Sequence, residues 1–316
     1  MTIHSALAPP AGVTDERTHD QRAMLLRIAL LSLTLHAILS AFSALAFSTF
    51  LSPPFPVWLQ TPENQHVLAF GMSYGGQTTV VLGAIAGLSF LSWAVGVQRA
   101  LLVFAASFVV SLSSELTGTS TGYPFGVYGY SQQLGYLIAG LVPFNIPTSW
   151  FYMLMASLAI CGRLLPATDD NRSRWWWALV AAFVLTAWDV SMDPAMVKTY
   201  HWSWHVPNLS NQSAFVQFIG TPVFFGMPLT NWLGWLLTGI VVARVMLQLV
   251  PPSVWAAKVS PSRFPLVLYG VNGILPIAIC LRQNMALAGV LGTIAMGIPL
   301  VAAWRSKRIA FLSIRS

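Results

Sequence analysis

Eight runs of apolar residues, each close to the length of a membrane-spanning helix, restrict the folds open to this chain. A transmembrane helix needs roughly 20 consecutive apolar residues. Only 8% of the 316 residues are charged and 56% are hydrophobic, whereas soluble domains carry about 25% charged residues. Lipid must therefore be the solvent for most of the surface. The runs cover about residues 25–50, 67–93, 100–117, 147–163, 175–193, 222–246, 264–281 and 285–303.

These runs predict an all-α integral membrane protein, a single bundle of about eight transmembrane helices over residues 25–304. Residues 1–24 are polar and are predicted to form a disordered cytoplasmic tail, and residues 305–316 a basic cytoplasmic tail. Both cysteines, Cys161 and Cys280, lie inside apolar runs. We therefore expect them to be small core residues without a disulfide or a metal.

The distribution of basic residues predicts the orientation of the bundle. With a cytoplasmic N-terminus and eight spans, 14 of the 16 Lys and Arg residues fall in cytoplasmic segments, and only Lys198 and Arg282 fall outside. Cytoplasmic loops carry such an excess of basic residues. Both termini are therefore predicted to be cytoplasmic, in a multi-pass protein of the cell membrane. The same scatter excludes a nucleic-acid partner despite the net charge of +7.

Two long connections, residues 118–146 and 194–221, fall on the outer side in this arrangement. They are rich in Gly, Pro, Ser, Asn and aromatic residues and contain one Lys and no Arg. They are too apolar for ordinary solvated loops. We expect them to fold back over the bundle as a lid or as re-entrant segments, because irregular backbone at membrane depth is tolerated where it lines a protein cavity.

Three carboxylates lie at or near the outer ends of apolar spans, namely Glu115, Asp189 and Asp193. Ionisable residues in such segments are costly and are functional candidates by default. The two aspartates are four residues apart and share one helix face, and the third and fifth spans end on the same side. The three groups are therefore expected to converge. Structural roles stay open: Glu115 could cap a helix, and Asp189 could pair with Lys198 or His201.

A metal site is a weaker interpretation of the same aspartates. The spacing of Asp189 and Asp193 resembles one Asp-rich motif of membrane prenyltransferases, which bind Mg²⁺ and a diphosphate. Those enzymes use two such motifs and basic residues, and this chain offers one motif. It also lacks HExxH and a Walker A sequence. We expect neither a metal nor another cofactor.

Aromatic residues follow each acidic position and form the second signal. They could belong to an interfacial belt. They could instead line a slot for a long, flat, apolar polyene, whose cationic form ring faces would stabilise. The candidate substrate-binding residues are Tyr123, Phe125, Tyr128, Tyr130, Trp150, Trp202, Trp204 and Trp235, with Asn231 beside the last.

Four blocks, residues 115–130, 147–153, 188–194 and 225–235, contain these acids and aromatic residues in order. Together they resemble the CruF-type carotenoid 1',2'-hydratases over about residues 110–240. The resemblance implies a hydro-lyase that adds water to the 1',2' double bond at the acyclic ψ end of a carotenoid such as γ-carotene or lycopene. The product would be a tertiary 1'-hydroxy carotenoid, formed without a redox cofactor.

The chemistry suggests roles for the three carboxylates. A carboxyl group in an apolar site beside another carboxylate holds its proton more readily than one in water. One aspartate, either Asp189 or Asp193, would protonate the alkene, and a second carboxylate would stabilise the cation and accept a proton from the attacking water. Asn231 and Tyr128 could hold that water. The expected partners are the carotenoid, water, the lipid bilayer and other enzymes of a carotenoid pathway.

Two rival functions remain at this point. A membrane prenyltransferase or lycopene elongase would need Mg²⁺ and a diphosphate co-substrate. A transport or carotenoid-binding protein would leave the pigment chemically unchanged, and transporters often contain inverted repeats.

Overall fold

The computed structural model describes residues 11–51 and 54–306, with only the backbone described for residues 11–18. Within these ranges, eight helices have 19 residues or more, and two helices are short. In chain order they are α1 (Ala11–Ser48), α2 (Pro62–Val95), α3 (Val97–Thr121), α4 (Asn145–Leu164), α5 (Asn171–Lys198), α6 (Ala214–Gly220), α7 (Leu229–Leu249), α8 (Pro252–Val254), α9 (Phe264–Arg282) and α10 (Ala286–Arg305).

The eight long helices coincide with the eight predicted spans. In the described part of the chain, seven of them are long and apolar enough to cross a membrane. The prediction of an all-α membrane protein is therefore confirmed. The cytoplasmic placement of both termini stays a prediction from the distribution of Lys and Arg.

Helix α4 is the long helix that falls outside this apolar set, and its position explains its composition. It packs against α2, α3, α5, α7, α9 and α10, and 18 of its 20 residues are buried. A helix surrounded by protein does not need a uniformly apolar surface toward lipid. It can carry Ser157 and Arg163, which are both buried and donate hydrogen bonds to backbone carbonyls.

Two helix starts differ from the prediction. Helix α1 begins at Ala11, so part of the expected disordered tail is helical, because extending an existing helix adds one bond per residue fixed. Helix α7 begins at Leu229 instead of about residue 222. The preceding residues form a turn closed by a bridge between Phe224 and Met227. Gly226 has a φ of +88° in this turn, which favours glycine.

The two long connections are joined by a two-stranded antiparallel sheet. Strand β1 (Tyr128–Tyr130) follows α3, strands β2 (Leu137–Ile138) and β3 (Val142–Pro143) form a separate pair, and β4 (Trp202–Trp204) follows α5. In the β1–β4 pair, Tyr128 lies opposite Trp204 and Tyr130 opposite Trp202. Because side chains alternate along a strand, these four rings share one face. We call this pair the aromatic ribbon.

Candidate active site

A cavity of about 500 Å³ lies beneath the aromatic ribbon. Its walls come from α1, α2, α3, α4, α5, α7 and α9, and most of its lining is apolar. Two carboxylates, Glu115 and Asp193, border it. A concave, largely apolar pocket with a few convergent polar groups is the usual form of a small-molecule site.

Glu115 is the most completely bonded polar group at the cavity. One oxygen, Oε2, accepts hydrogen bonds from the hydroxyls of Tyr128 at 2.5 Å and Tyr130 at 2.8 Å. The other, Oε1, accepts one from the indole nitrogen of Trp150 at 3.2 Å. All three donors are side-chain groups rather than backbone N–H groups at a helix start, so Glu115 does not cap a helix. The side chain is 3% exposed.

The two tyrosines of this cluster lie on the aromatic ribbon and act as donors. Burial and the neighbouring charge of Glu115 raise the pKa of Tyr128 and of Tyr130 well above the usual value. Both hydroxyls therefore keep their protons at any physiological pH. They fix the orientation of the Glu115 carboxyl group at the end of α3.

The two aspartates meet at a single amide. Nδ2 of Asn231 donates to Oδ2 of Asp189 at 3.1 Å and also to Oδ2 of Asp193. Asp189 is 0% exposed and Asp193 is 2% exposed. Asp193 borders the cavity, whereas Asp189 lies one turn back on α5 and does not. Pro194, inside α5, does not end that helix, which continues to Lys198.

Stacked rings form much of the remaining wall. Trp150 and Trp235 stack with ring centroids 4.6 Å apart, and Trp188 meets Trp235 edge to face at 5.9 Å. On the aromatic ribbon, Tyr128 stacks on Trp204 at 5.7 Å. Negative ring faces of this kind attract a cation.

Phe125 anchors the start of the ribbon between α3 and α7. Its ring lies against Gly118 of α3 and Gly234 of α7. A Cβ atom at either glycine would come closer to the Phe125 ring than real Cβ atoms do. These two glycines of the sequence blocks therefore position an aromatic wall residue.

Of the twelve predicted site residues, ten border the cavity, namely Glu115, Phe125, Tyr128, Tyr130, Trp150, Asp193, Trp202, Trp204, Asn231 and Trp235. Asp189 lies behind Asp193. Tyr123 is 68% exposed and does not border the cavity; it lies within the turn in which the Gly126 N–H donates to the Gly122 carbonyl. Asp189 bonds Asn231 and not Lys198 or His201 among the contacts of the described residues.

Sequence reasoning missed the contribution of α1, α2 and α9. Gly71, Gly75 and Gly76 of α2 border the cavity, and a Cβ atom at each would meet nothing within 4 Å. Asn272 of α9 and Thr79 of α2 add polar atoms to the wall. The glycines on one face of a predicted span were the signal available in the sequence.

The acidic side chains of the described cavity lining are Glu115 and Asp193. Within the described ranges, no Lys or Arg borders the cavity. His201 borders it, and burial lowers the pKa of this histidine to about 4, so the ring is neutral near pH 7. No group of three or more His, Cys, Asp or Glu residues in the described chain could hold a metal ion.

The fold and the site define a multi-pass membrane protein with a mostly apolar cavity that carries buried carboxylates. A sequence model of the family described as "Carotenoid biosynthesis protein" matches residues 75–299. The chain belongs to this family, which confirms the family resemblance seen in the sequence blocks.

A curated protein from Haloarcula japonica, named bisanhydrobacterioruberin hydratase, is 28% identical to this chain over 144 residues. The alignment covers 46% of this chain and 43% of that protein, so the chain spans less than half the length of this relative. No solved structure matches the chain.

Proposed function

We propose that this protein hydrates the 1',2' double bond at the acyclic ψ end of a carotenoid and produces a tertiary 1'-hydroxy carotenoid. The observation that carries the proposal is the presence of two buried carboxylates, Glu115 and Asp193, in one aromatic cavity. Membership in a carotenoid biosynthesis family and similarity to a protein named as a hydratase support it.

The shape of the cavity suits one end of a polyene. Phe42 of α1 and Val67 of α2 border the cavity and are 57% and 71% exposed. Exposed apolar side chains on membrane-spanning helices suit contact with lipid. The reacting end of a carotenoid can therefore lie under the aromatic ribbon while the rest of its chain passes between α1 and α2 into the membrane.

The first step is protonation of C2' by Asp193. Ionising both of two adjacent carboxyl groups that share one amide in apolar surroundings costs free energy, so the pair keeps one proton. Asp193 is the member of the pair that borders the cavity. Transfer of its proton to C2' breaks the π bond and leaves a tertiary cation at C1'.

The second step is capture of this cation by water. Glu115, held by three donors, stabilises the cation electrostatically, and the faces of Trp150 and Trp235 contribute cation–π attraction. A water oxygen bonds to C1' and releases one proton to a carboxylate. One water is consumed, the enzyme recovers its proton, and no electrons are transferred.

The same cavity is poorly suited to a diphosphate. Enzymes that bind phosphoryl groups surround them with Arg, Lys or a metal ion. Here the described lining contains no Lys or Arg, and its charged groups are carboxylates. The negative site favours a developing cation over an anionic co-substrate.

The test is expression in a host that accumulates an acyclic carotenoid, in medium enriched in ¹⁸O-labelled water. We expect a new product heavier than the substrate by one water molecule and labelled from water. The empty vector is the control. An added prenyl unit would point to an elongase, a product with a new oxygen that carries no label from water to an oxygenase, and co-purified but unchanged pigment to a binding protein. Any of these three results would refute the hydratase.

A further inference from the structure

Asn145, the first residue of α4, is the most poorly satisfied polar side chain at the cavity. It borders the cavity and is 1% exposed. Both of its side-chain atoms, Oδ1 and Nδ2, are buried without a hydrogen-bond partner among the described residues. Leaving a buried donor or acceptor unpaired costs about 1–3 kcal/mol for each group.

Helix capping does not account for this asparagine. Asn is favoured at helix starts because its side chain can accept a bond from a free backbone N–H. In α4, Phe144 occupies the N-cap position and no side chain caps the helix. The neighbours Thr148 and Ser149 are satisfied, since their hydroxyls donate to the carbonyls of Phe144 and Ile146 at 2.7 and 2.8 Å.

The position of Asn145 relates it to the proposed chemistry. Trp150, which donates to Glu115, lies five residues further along α4, a rise of roughly 7.5 Å. Ser149, one turn from Asn145, also borders the cavity. The unpaired amide therefore belongs to the same wall as the group that holds Glu115.

We propose that Asn145 is a positioning residue that holds the water molecule captured by the carotenoid cation. This role rests on the proposed hydratase function. An amide can accept one hydrogen bond from water through Oδ1 and offer two donors through Nδ2. A water bonded in this way keeps an oxygen lone pair free for C1'. When the C–O bond forms, its proton passes to a carboxylate, and Asn145 itself is unchanged.

This role predicts that loss of Asn145 changes the ratio between capture of the cation by water and its return to the alkene. In membranes containing Asn145→Leu, Asp193 still protonates the alkene, but the cation is captured more slowly and returns to alkene by losing a proton. In D₂O, the recovered unhydrated carotenoid then contains deuterium. We expect the rate of hydration to fall about 10- to 100-fold and the ratio of deuterated alkene to hydrated product to rise.

A second variant and a stability measurement separate positioning from folding. Asn145→Ser can still bind water and should recover part of the hydration, whereas the leucine variant should keep the heat stability of the wild type, because no hydrogen bond to another described residue is lost. If Asn145→Leu hydrates at the wild-type rate, or if exchange and hydration fall together, the positioning role is refuted while the hydratase stands. If the wild type itself forms no hydrated product, the proposed function fails, and this role with it.

Discussion

The contrast between the two aspartates of α5 gives the sharpest test of the site. Asp189 and Asp193 are both buried, share one helix face and bond the same amide of Asn231. Only Asp193 borders the cavity. Asp193→Asn and Asp189→Asn are therefore matched substitutions of equal size, one turn apart, that differ in access to the cavity.

The expected magnitude for Asp193→Asn follows from its proposed role as the proton donor. A positioned general acid contributes about 10²- to 10⁴-fold to a rate, which corresponds to about 2.7–5.4 kcal/mol of barrier at 1.36 kcal/mol per tenfold change. Asn cannot supply the proton, so the rate should fall within this range. Asp189 does not border the cavity, and we expect Asp189→Asn to lower the rate by less than about tenfold.

The assay is hydration of an acyclic carotenoid by membranes with equal amounts of each folded variant, followed by chromatography and mass spectrometry. Thermal unfolding of both variants should be similar, because each loses one carboxylate bonded to Asn231. The reasoning is refuted if Asp193→Asn keeps the wild-type rate, or if Asp189→Asn is the more damaged of the two.

Three further predictions concern the walls and the frame of the cavity. Gly75→Phe fills open space beside the cavity. Hydration of a full-length carotenoid should therefore fall at least tenfold, whereas a short isoprenoid with the same end should still react. Equal losses for both substrates would contradict this prediction. Arg163 donates to the carbonyls of Pro261, Ser262 and Ala303, so Arg163→Met should lower the free energy of unfolding by about 2–4 kcal/mol without changing the rate per folded molecule, as thermal melts and product yields would show. Burial lowers the pKa of His201 from 6.5 to about 4 in the folded state. The unfolded chain therefore binds a proton at a higher pH than the folded chain, and the stability of the fold decreases as the pH drops from 6.5 to 4. His201→Gln should make this decrease smaller in melts at different pH, and an unchanged pH dependence would contradict the prediction.

The aromatic ribbon links the two long connections above the cavity. Two connections that leave different helices pair through Tyr128–Trp204 and Tyr130–Trp202. The same two tyrosines hold Glu115. The ribbon thus covers the cavity and orients one of its carboxylates.

Much of the fold could be predicted from the sequence because lipid imposes a simple rule on it. Each span must hide its backbone polar groups in a helix and present apolar side chains, and the eight long helices lie where the apolar runs predicted them. The same rule identified Glu115, Asp189 and Asp193 as functional candidates, because a carboxylate in such a segment is energetically costly.

The tertiary structure decided which of these groups face one another. Helical spacing placed Asp189 and Asp193 on one face but could not show that only Asp193 borders the cavity. The pairing of β1 with β4, the glycine-lined wall of α2 and the unpaired amide of Asn145 depend on contacts between residues far apart in the chain. The local pattern of apolar residues indicates whether a segment lies in lipid, whereas packing between helices determines the partner of a buried polar atom.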